Sequence, residues 1–150
     1  MAISAQQIKD LREKTGAGIA DVKKALEEAK GDMEKAFELI ERKLGSSAVK
    51  KASRETMAGL VEAYIHTNGR VGSLVEVFCE TDFVARNPAF KEFAHSLALH
   101  IAAMQDEEGI PLLSQPFVKD QSKTVEQVVA EAIGKFGENI KIGNFTRFEV

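Results

Sequence analysis

The sequence predicts an α+β protein, with a helical N-terminal part followed by a three-stranded antiparallel sheet packed with helices. Apolar residues recur every three or four positions as far as residue 44, which is the period of a helix. Two β-rich runs then flank Asn68-Gly69, the strongest short hairpin signal, because both central residues of such a turn need positive φ. Two more helical stripes and a partly alternating C-terminal run complete the pattern.

Composition limits the function classes. The chain has 150 residues, 29% of them charged, and a net charge of −3, so it lacks the basic excess typical of a nucleic-acid binder. We therefore expect no direct contact with nucleic acid. Apolar runs are shorter than the roughly 18 residues of a membrane span, and the N-terminus does not resemble a secretory signal. Cys79 is the single cysteine, which fits a reducing cytoplasm, and we expect no membrane association.

Residues 1–44 are predicted to form three short helices. Ser4 and Gln7 make a capping box for the first helix, and Asp32 is a good N-cap for the third. Thr15-Gly16-Ala17-Gly18 separates the first helix from the second, since two close glycines favour a turn. The expected apolar faces comprise Ile19, Val22, Leu26 and Ala29 in the second helix and Met33, Phe37, Ile40 and Leu44 in the third.

A linker is predicted at residues 45–56, between a first domain at 1–44 and a core domain at 57–150. Lys50, Lys51 and Arg54 make the linker locally basic. It could contact an acidic or phosphate-bearing surface, or it could be a solvated tether or a short helix with a charged face. The sequence leaves both interpretations open.

The core begins with the hairpin, whose second strand is apolar from Leu74 to Cys79 apart from Glu76. This pattern predicts one fully covered face and a second face that is at least half covered. Asn87-Pro88 suits the start of a helix, which is predicted to end at 106–109. Its apolar stripe comprises Phe90, Phe93, Ala94, Leu97, Ala98, Ile101 and Met104.

The last third is predicted to contain a loop at 110–123 that crosses back over the sheet. Thr124 and Gln127 form a second capping box, which opens a helix that ends before Gly137. The final run alternates imperfectly, and a bulge at Gly143 would reconcile its two phases. It is the predicted third strand. A small sheet with helices on one side leaves its other face open to a partner or a second copy.

The residues that could carry chemistry do not form a catalytic or metal site. Cys79 lies in an apolar strand, where a cysteine usually behaves as a small hydrophobe. His95 and His100 are five residues apart, so they do not share a helix face, and His66 is remote in sequence. Gly16-Ala17-Gly18 lacks the preceding strand and the lysine of a phosphate-binding loop. We predict no catalytic, metal or cofactor-binding residues.

Two sequence features remain as candidate docking elements. One is Asp82-Phe83, an acid beside a large aromatic between a strand and a helix; the other is the hairpin tip at 66–70. Taken alone, each is more simply explained by structure and solvation than by a docking role. An aromatic in such a connection either packs into the core or reaches into a partner, and the residues alone do not identify that partner.

Two segments resemble signatures of a known family. Residues 11–26, LREKTGAGIADVKKAL, are similar to the N-terminal signature of the elongation factor Ts family. Residues 80–86, ETDFVAR, resemble the second signature, and the hairpin 66–75, residues 115–118 and residues 147–150 are also similar to family segments. Phe78 departs from the pattern, since many members have a polar residue there, and many members continue beyond Val150.

The resemblance implies a nucleotide exchange factor for elongation factor Tu in cytoplasmic translation elongation, and not an enzyme or a cofactor-dependent protein. It implies a ubiquitin-associated-like three-helix domain followed by one core subdomain, and a homodimer that forms a two-plus-two complex. The implied contacts with elongation factor Tu are the helix-turn residues Arg12, Ile19 and Ala20, the residues Thr81, Asp82, Phe83 and Val84 near the partner's magnesium, and the hairpin residues His66, Gly69 and Arg70.

Two alternatives stay open. In one, residues 1–44 are a ubiquitin-associated-like interaction module that binds a peptide or a ubiquitin-like surface, and the rest is scaffold. In the other, more distant alternative, the protein is a hydrolase that uses Cys79.

Overall fold

The computed structural model describes residues 2–104 and 109–150. Two compact units are present, one formed by residues 1–52 and 130–137, the other by residues 53–129 and 138–150. The helices are α1 (Ala5–Thr15), α2 (Ile19–Glu28), α3 (Met33–Lys51), α4 (Asp82–Ala85), α5 (Pro88–Ala103) and α6 (Val125–Phe136). The strands are β1 (Ala58–Ile65), β2 (Val71–Cys79), β3 (Pro116–Phe117), β4 (Asp120–Thr124) and β5 (Lys141–Glu149). In the described ranges, no helix is long and apolar enough to cross a membrane.

The first unit is a helical bundle whose helix starts follow the predicted caps. Ser4 and Gln7 exchange both bonds of the capping box, at 3.0 and 3.1 Å. The Asp32 carboxylate accepts from the first two backbone N–H groups that follow Met33, at 3.1 and 3.2 Å. These bonds satisfy donors that have no partner inside the helix. The predicted starts of α1 and α3 are therefore confirmed.

The bundle core is small. The largest buried side chains of α1, α2 and α3 are those of Leu11, Val22, Leu26, Ile40 and Leu44. Ile19, which the sequence places on the same face, is 57% exposed, because it occupies the first position of α2 and projects past the packed turns. Within this unit α6 also packs on α3: a Cβ at Gly134 would lie 3.1 Å from Leu44 Cγ.

Helix α3 extends beyond its predicted end. Residues 45–51, which the sequence assigns to the linker, are its last two turns. A helix tolerates one glycine at a cost of about 1 kcal/mol, and Lys50 and Lys51 in the last turn complement the helix dipole. Residues 45–51 thus match one of the interpretations that the sequence left open, a helix with a charged face. The connection from α3 to β1 is residues 52–57.

The second unit is built on a three-stranded antiparallel sheet with the order β1-β2-β5. The predicted hairpin is confirmed, with Ala58 opposite Cys79 and Ile65 opposite Gly72. Its turn differs from the expected one: Gly69 has a φ of +69°, whereas Asn68 does not have positive φ. The reason is that five residues, 66–70, link the strands instead of two, so a single left-handed residue closes the turn.

The bulge in β5 is also confirmed. Val75 pairs with Phe145 and Val77 pairs with Ile142, so β5 has one extra residue opposite Glu76. A Cβ at Gly143 would lie 2.7 Å from Glu76 Oε2 and 3.1 Å from Glu76 Cβ. Glycine is favoured here because the edge of the Phe78 ring and the Glu76 side chain lie directly over the bulge.

Helix α5 covers one face of the sheet. Five of the seven predicted stripe residues are buried: Phe90, Ala94, Leu97, Ala98 and Ile101. Phe93 and Met104 are only half-buried, and the buried His100 was not predicted. Alternate residues of β2 face it, and the Ser73 hydroxyl donates to the carbonyl of Ala98 at 2.6 Å. The predicted helix end at 106–109 lies largely outside the described residues. This packing makes β2 and α5 a rigid support for the connection between them.

The loop predicted at 110–123 is more ordered than expected. A 3-10 turn at Leu112–Ser114 leads into an antiparallel pair, β3 and β4. Phe117 is buried and stacks on His100 at 5.7 Å between ring centroids. One aromatic anchor thus holds a segment whose short-range pattern is irregular. The capping box of α6 is confirmed, with bonds of 2.8 and 3.2 Å between Thr124 and Gln127.

Candidate functional site

The connection from β2 to α5 is a single helical turn, α4, which the sequence pattern did not predict. Thr81 is its N-cap, and the Thr81 hydroxyl accepts from Val84 N at 3.3 Å. Asn87 then caps α5, with Pro88 at the first helical position. Because Thr81 and Asn87 each cap a helix N-terminus, α4 and α5 are two separate helices and not one continuous helix.

The turn exposes one of two adjacent apolar side chains and buries the other. Phe83 is 85% exposed, whereas Val84 is 5% exposed and packs into the core. Burying a phenylalanine contributes about 1.5–3 kcal/mol, and Phe83 forgoes most of that stabilisation. Asp82 beside it is also exposed. The structure thus decides the direction of Phe83, which faces solvent, and shows that Val84 anchors the turn instead of sharing its surface.

A residue that the sequence prediction missed supports this turn. The Glu138 carboxylate accepts from the backbone N–H groups of Glu80 and Thr81, at 3.1 and 3.0 Å, and from the Thr81 hydroxyl at 2.7 Å. It lies between α6 and β5, more than fifty positions away in sequence. A lone glutamate after a helix C-terminus carries no recognisable sequence signal.

A second set of bonds runs beside the first. Glu80 Oε1 accepts from the backbone N–H of Asn139 at 3.0 Å and lies 3.6 Å from Arg54 Nη1. The buried Asn139 side chain donates to the carbonyl of Arg54 at 2.8 Å. Arg54, which the sequence places in a basic linker, is therefore used within the second unit.

In the helical unit, the predicted contact residues lie around the turn between α1 and α2. Arg12, Ile19 and Ala20 are exposed. The turn itself is well fixed: the buried Thr15 hydroxyl donates to the carbonyl of Leu11 at 2.7 Å and accepts from Ala17 N at 3.2 Å. An exposed isoleucine and arginine on a rigid turn form a surface suited to docking another protein.

The hairpin tip carries the third group. His66, Gly69 and Arg70 are all exposed. Tyr64 Oη lies 3.1 Å from His66 Nδ1, and the Tyr64 ring contacts the His95 ring edge to face at 5.7 Å. The tip lies at the opposite end of β2 from Thr81, and nine residues at about 3.3 Å each separate the two groups by roughly 25–30 Å. The structure therefore does not bring these two groups together.

Cys79 is not a nucleophile in this arrangement. The thiol is buried and donates to the carbonyl of Thr81 at 3.3 Å. Burial, and secondarily the Glu138 carboxylate, raise the pKa of Cys79, which keeps the thiol protonated. Across residues 2–104 and 109–150, no group of three or more His, Cys, Asp or Glu side chains is placed to hold a metal ion. The exposed elements suit contact with another macromolecule more than covalent chemistry.

Comparison with known proteins identifies the family. The sequence matches the family model described as elongation factor TS over residues 2–106 and 80–150. Elongation factor Ts of Thermotoga maritima is 42% identical over 193 residues, which cover 100% of this chain and 97% of that protein. Those of Leptospira biflexa and Rippkaea orientalis are each 42% identical, with 100% and 97% of this chain and 98% and 77% of the relatives covered. Because the alignments are longer than this chain of 150 residues, the relatives carry additional residues within the matched region. The chain belongs to the elongation factor Ts family.

Proposed function

We propose that this protein is a guanine nucleotide exchange factor for elongation factor Tu and promotes GDP release during translation elongation in the cytoplasm. The observation that carries the proposal is the exposed Phe83 beside Asp82 on a turn anchored by Val84. An aromatic side chain has few rotamers to freeze and fills a partner's pocket at low entropic cost. The turn presents it in one orientation.

The mechanism requires only displacement of groups in the partner. A GTPase holds Mg²⁺ and the nucleotide phosphates through a few oriented side chains and backbone groups. Insertion of Phe83 among them would shift these groups, and the Asp82 carboxylate would compete for polar contacts near the metal. Moving such ligands by about 1 Å forfeits much of the nucleotide affinity. This mechanism makes and breaks no covalent bond, so we propose that this protein acts as an exchange factor and not as an enzyme.

Thermodynamic linkage explains how the factor leaves its partner. A factor that lowers the affinity of elongation factor Tu for GDP must have its own affinity lowered by GDP to the same extent. A new nucleotide can therefore expel the factor, which returns it for another cycle. No cofactor is needed for this exchange.

Docking would use the helical unit. We propose that residues 1–44, which we interpret as a ubiquitin-associated-like domain, dock on the G domain of elongation factor Tu through Arg12, Ile19 and Ala20. Residues 57–150 would then supply the exchange element. The hairpin residues His66, Gly69 and Arg70 would contact a different region of the partner, as their distance from Thr81 along β2 requires.

A second copy would cover the open face of the sheet. Val61, Ile65, Leu74 and Phe148 on this face are 66%, 66%, 47% and 70% exposed. Ile65 and Phe148 both flank Gly72 across the three strands. Exposed apolar patches of this kind mark interaction surfaces. We propose a homodimer through this face and a two-plus-two complex with elongation factor Tu.

Stopped-flow release of fluorescent GDP from elongation factor Tu tests the proposal. The unmutated protein should accelerate release, and Phe83→Ala and Asp82→Ala should each reduce the maximal rate by at least about tenfold, or ~1.4 kcal/mol. Leu113→Ala and Glu126→Ala are matched controls, since both side chains are exposed on the same unit, away from α4.

Two outcomes would count against the mechanism. If both site variants released GDP as fast as the controls, insertion of this turn would not drive exchange. If the unmutated protein left GDP release unchanged but bound another partner through residues 1–44, the interaction-module alternative would replace the proposed function.

A further inference from the structure

We propose that Glu138 is a positioning residue for nucleotide exchange: it holds Thr81 so that α4 presents Asp82 and Phe83 in one fixed orientation. The inference rests on the proposed function and adds to it a residue outside both signature segments. Glu138 itself is half-buried beneath the turn, so it acts through Thr81 and not by touching the partner.

One carboxylate takes three donors at this point. Oε1 accepts from Glu80 N and Thr81 N, at 3.1 and 3.0 Å, while Oε2 accepts from the Thr81 hydroxyl at 2.7 Å. Hydrogen bonds to an ionised acceptor are roughly twice as strong as those between neutral groups. Two backbone groups and one side chain are thereby fixed to a single rigid carboxylate, which defines the direction in which the chain leaves β2.

The Thr81 hydroxyl transmits this restraint to α4. It donates its only proton to Glu138, so its lone pairs are left to accept from Val84 N at 3.3 Å. An isolated turn of helix is unstable because nucleation fixes many dihedrals for one hydrogen bond. The four residues of α4 therefore depend on this cap and on the burial of Val84.

The attachment is reciprocal. The Glu80 carboxylate accepts from Asn139 N at 3.0 Å. The consecutive residues Glu80 and Thr81 are therefore hydrogen-bonded to the consecutive residues Glu138 and Asn139. The charge of Glu138 is felt locally, since it is the second cause, after burial, of the raised pKa of Cys79. The chain between β2 and α4 is thus fixed at Glu80 and Thr81.

Loss of Glu138 should leave Phe83 exposed but poorly oriented. The partner would then have to order the turn during insertion, and the free-energy cost of that ordering would reduce the stabilisation that Phe83 provides. Docking through Arg12 and Ile19 does not depend on this turn. The effect should therefore fall on the maximal rate of GDP release and not on the concentration of factor that gives half of that rate.

The test measures both quantities by stopped flow for Glu138→Ala and Glu138→Gln. Glu138→Ala should lower the maximal rate by about tenfold and change the half-saturating concentration by less than about twofold. Glu138→Gln should retain most of the rate, because its amide oxygen can still accept from Glu80 N and Thr81 N. Val129→Ala is the control for stability, since it opens a cavity in the same unit without touching the turn.

A partner-independent measurement accompanies the kinetics. Amide hydrogen exchange of Val84 in the protein alone should be at least about tenfold faster in Glu138→Ala and unchanged in Val129→Ala. The double variant Glu138→Ala with Thr81→Val should be no slower in GDP release than the slower single variant, because both substitutions interrupt the same chain of bonds from Glu138 through the Thr81 hydroxyl to Val84 N.

Three outcomes overturn the inference. The first is a maximal rate for Glu138→Ala within twofold of the unmutated protein at a temperature where both are folded. The second is an equal loss of rate in Val129→Ala at matched melting temperature, which would indicate stability alone. The third is unchanged exchange protection of Val84. Failure of the proposed function is distinct, because the unmutated protein itself would then fail to release GDP.

Discussion

Phe148 offers the sharpest test of the open sheet face. It is 70% exposed on β5, opposite Gly72, so most of its side chain is not packed within its own unit. Replacement by aspartate puts a charge on the β5 side of the apolar face, next to Gly72. Full burial of a phenylalanine contributes about 1.5–3 kcal/mol, so covering the exposed 70% contributes about 1–2 kcal/mol.

Symmetry doubles this figure. In a two-fold dimer the same patch is used by both copies, so each substitution occurs twice in the interface. Phe148→Asp should therefore weaken the dimer by about 2–4 kcal/mol, which raises its dissociation constant by roughly 30- to 1,000-fold. The desolvation of two aspartates adds to that loss.

Sedimentation equilibrium over a wide concentration range measures the dissociation constant directly. Val49→Asp is the matched control, because Val49 is 78% exposed on α3, outside the sheet. Circular dichroism at each concentration verifies that the variants stay folded. A dissociation constant for Phe148→Asp within threefold of the control would refute the assignment of this face, as would an unmutated protein that is monomeric at the highest concentration.

Two further predictions concern stability. Gly143→Ala should lower the free energy of unfolding by about 1–3 kcal/mol, because the new Cβ would collide with the Phe78 ring and lie 3.1 Å from Glu76 Cβ. Gly45→Ala should raise it by up to about 1 kcal/mol, since nothing lies within 4 Å of the new Cβ in α3; urea titration of each variant measures both changes. Burial lowers the pKa of His100, so its contribution to the free energy of unfolding should be full above the ordinary histidine pKa near 6.5 and should fall as the pH drops below 6.5 towards the pKa in the folded state. His100→Gln should therefore reduce the loss of stability between pH 7.5 and 5.5, as measured by urea titration. An equal loss in both proteins would contradict the reasoning.

Local signals were sufficient for most of the elements. The capping boxes at Ser4 and Thr124 depend on residues three apart, so they can be identified without knowledge of the fold. The glycine bulge at 143 was predictable for a similar reason, since a change of alternation phase within one strand requires an extra residue. These features need only the covalent neighbourhood.

Two segments were misjudged because a distant contact or a summed effect decides them. Residues 45–51 contain Gly45 and two serines, which favour a linker by local preference, yet continuation from a well-packed α3 outweighs the small cost of each. The pair β3–β4 depends on Phe117 stacking against His100, seventeen positions earlier. The local sequence of the segment and its hydrophobic periodicity do not reveal this contact.

The sequence by itself determined the family, the α+β class, the hairpin and the position of the segment 80–86. Only the tertiary structure decided that Phe83 faces solvent and that Val84 beneath it is buried. A one-turn helix has no periodicity from which a face could be read, so the direction of each side chain depends on where α5 and Glu138 hold the turn. Glu138 itself could not be found in advance, because its partners are brought to it by the fold and not by the chain.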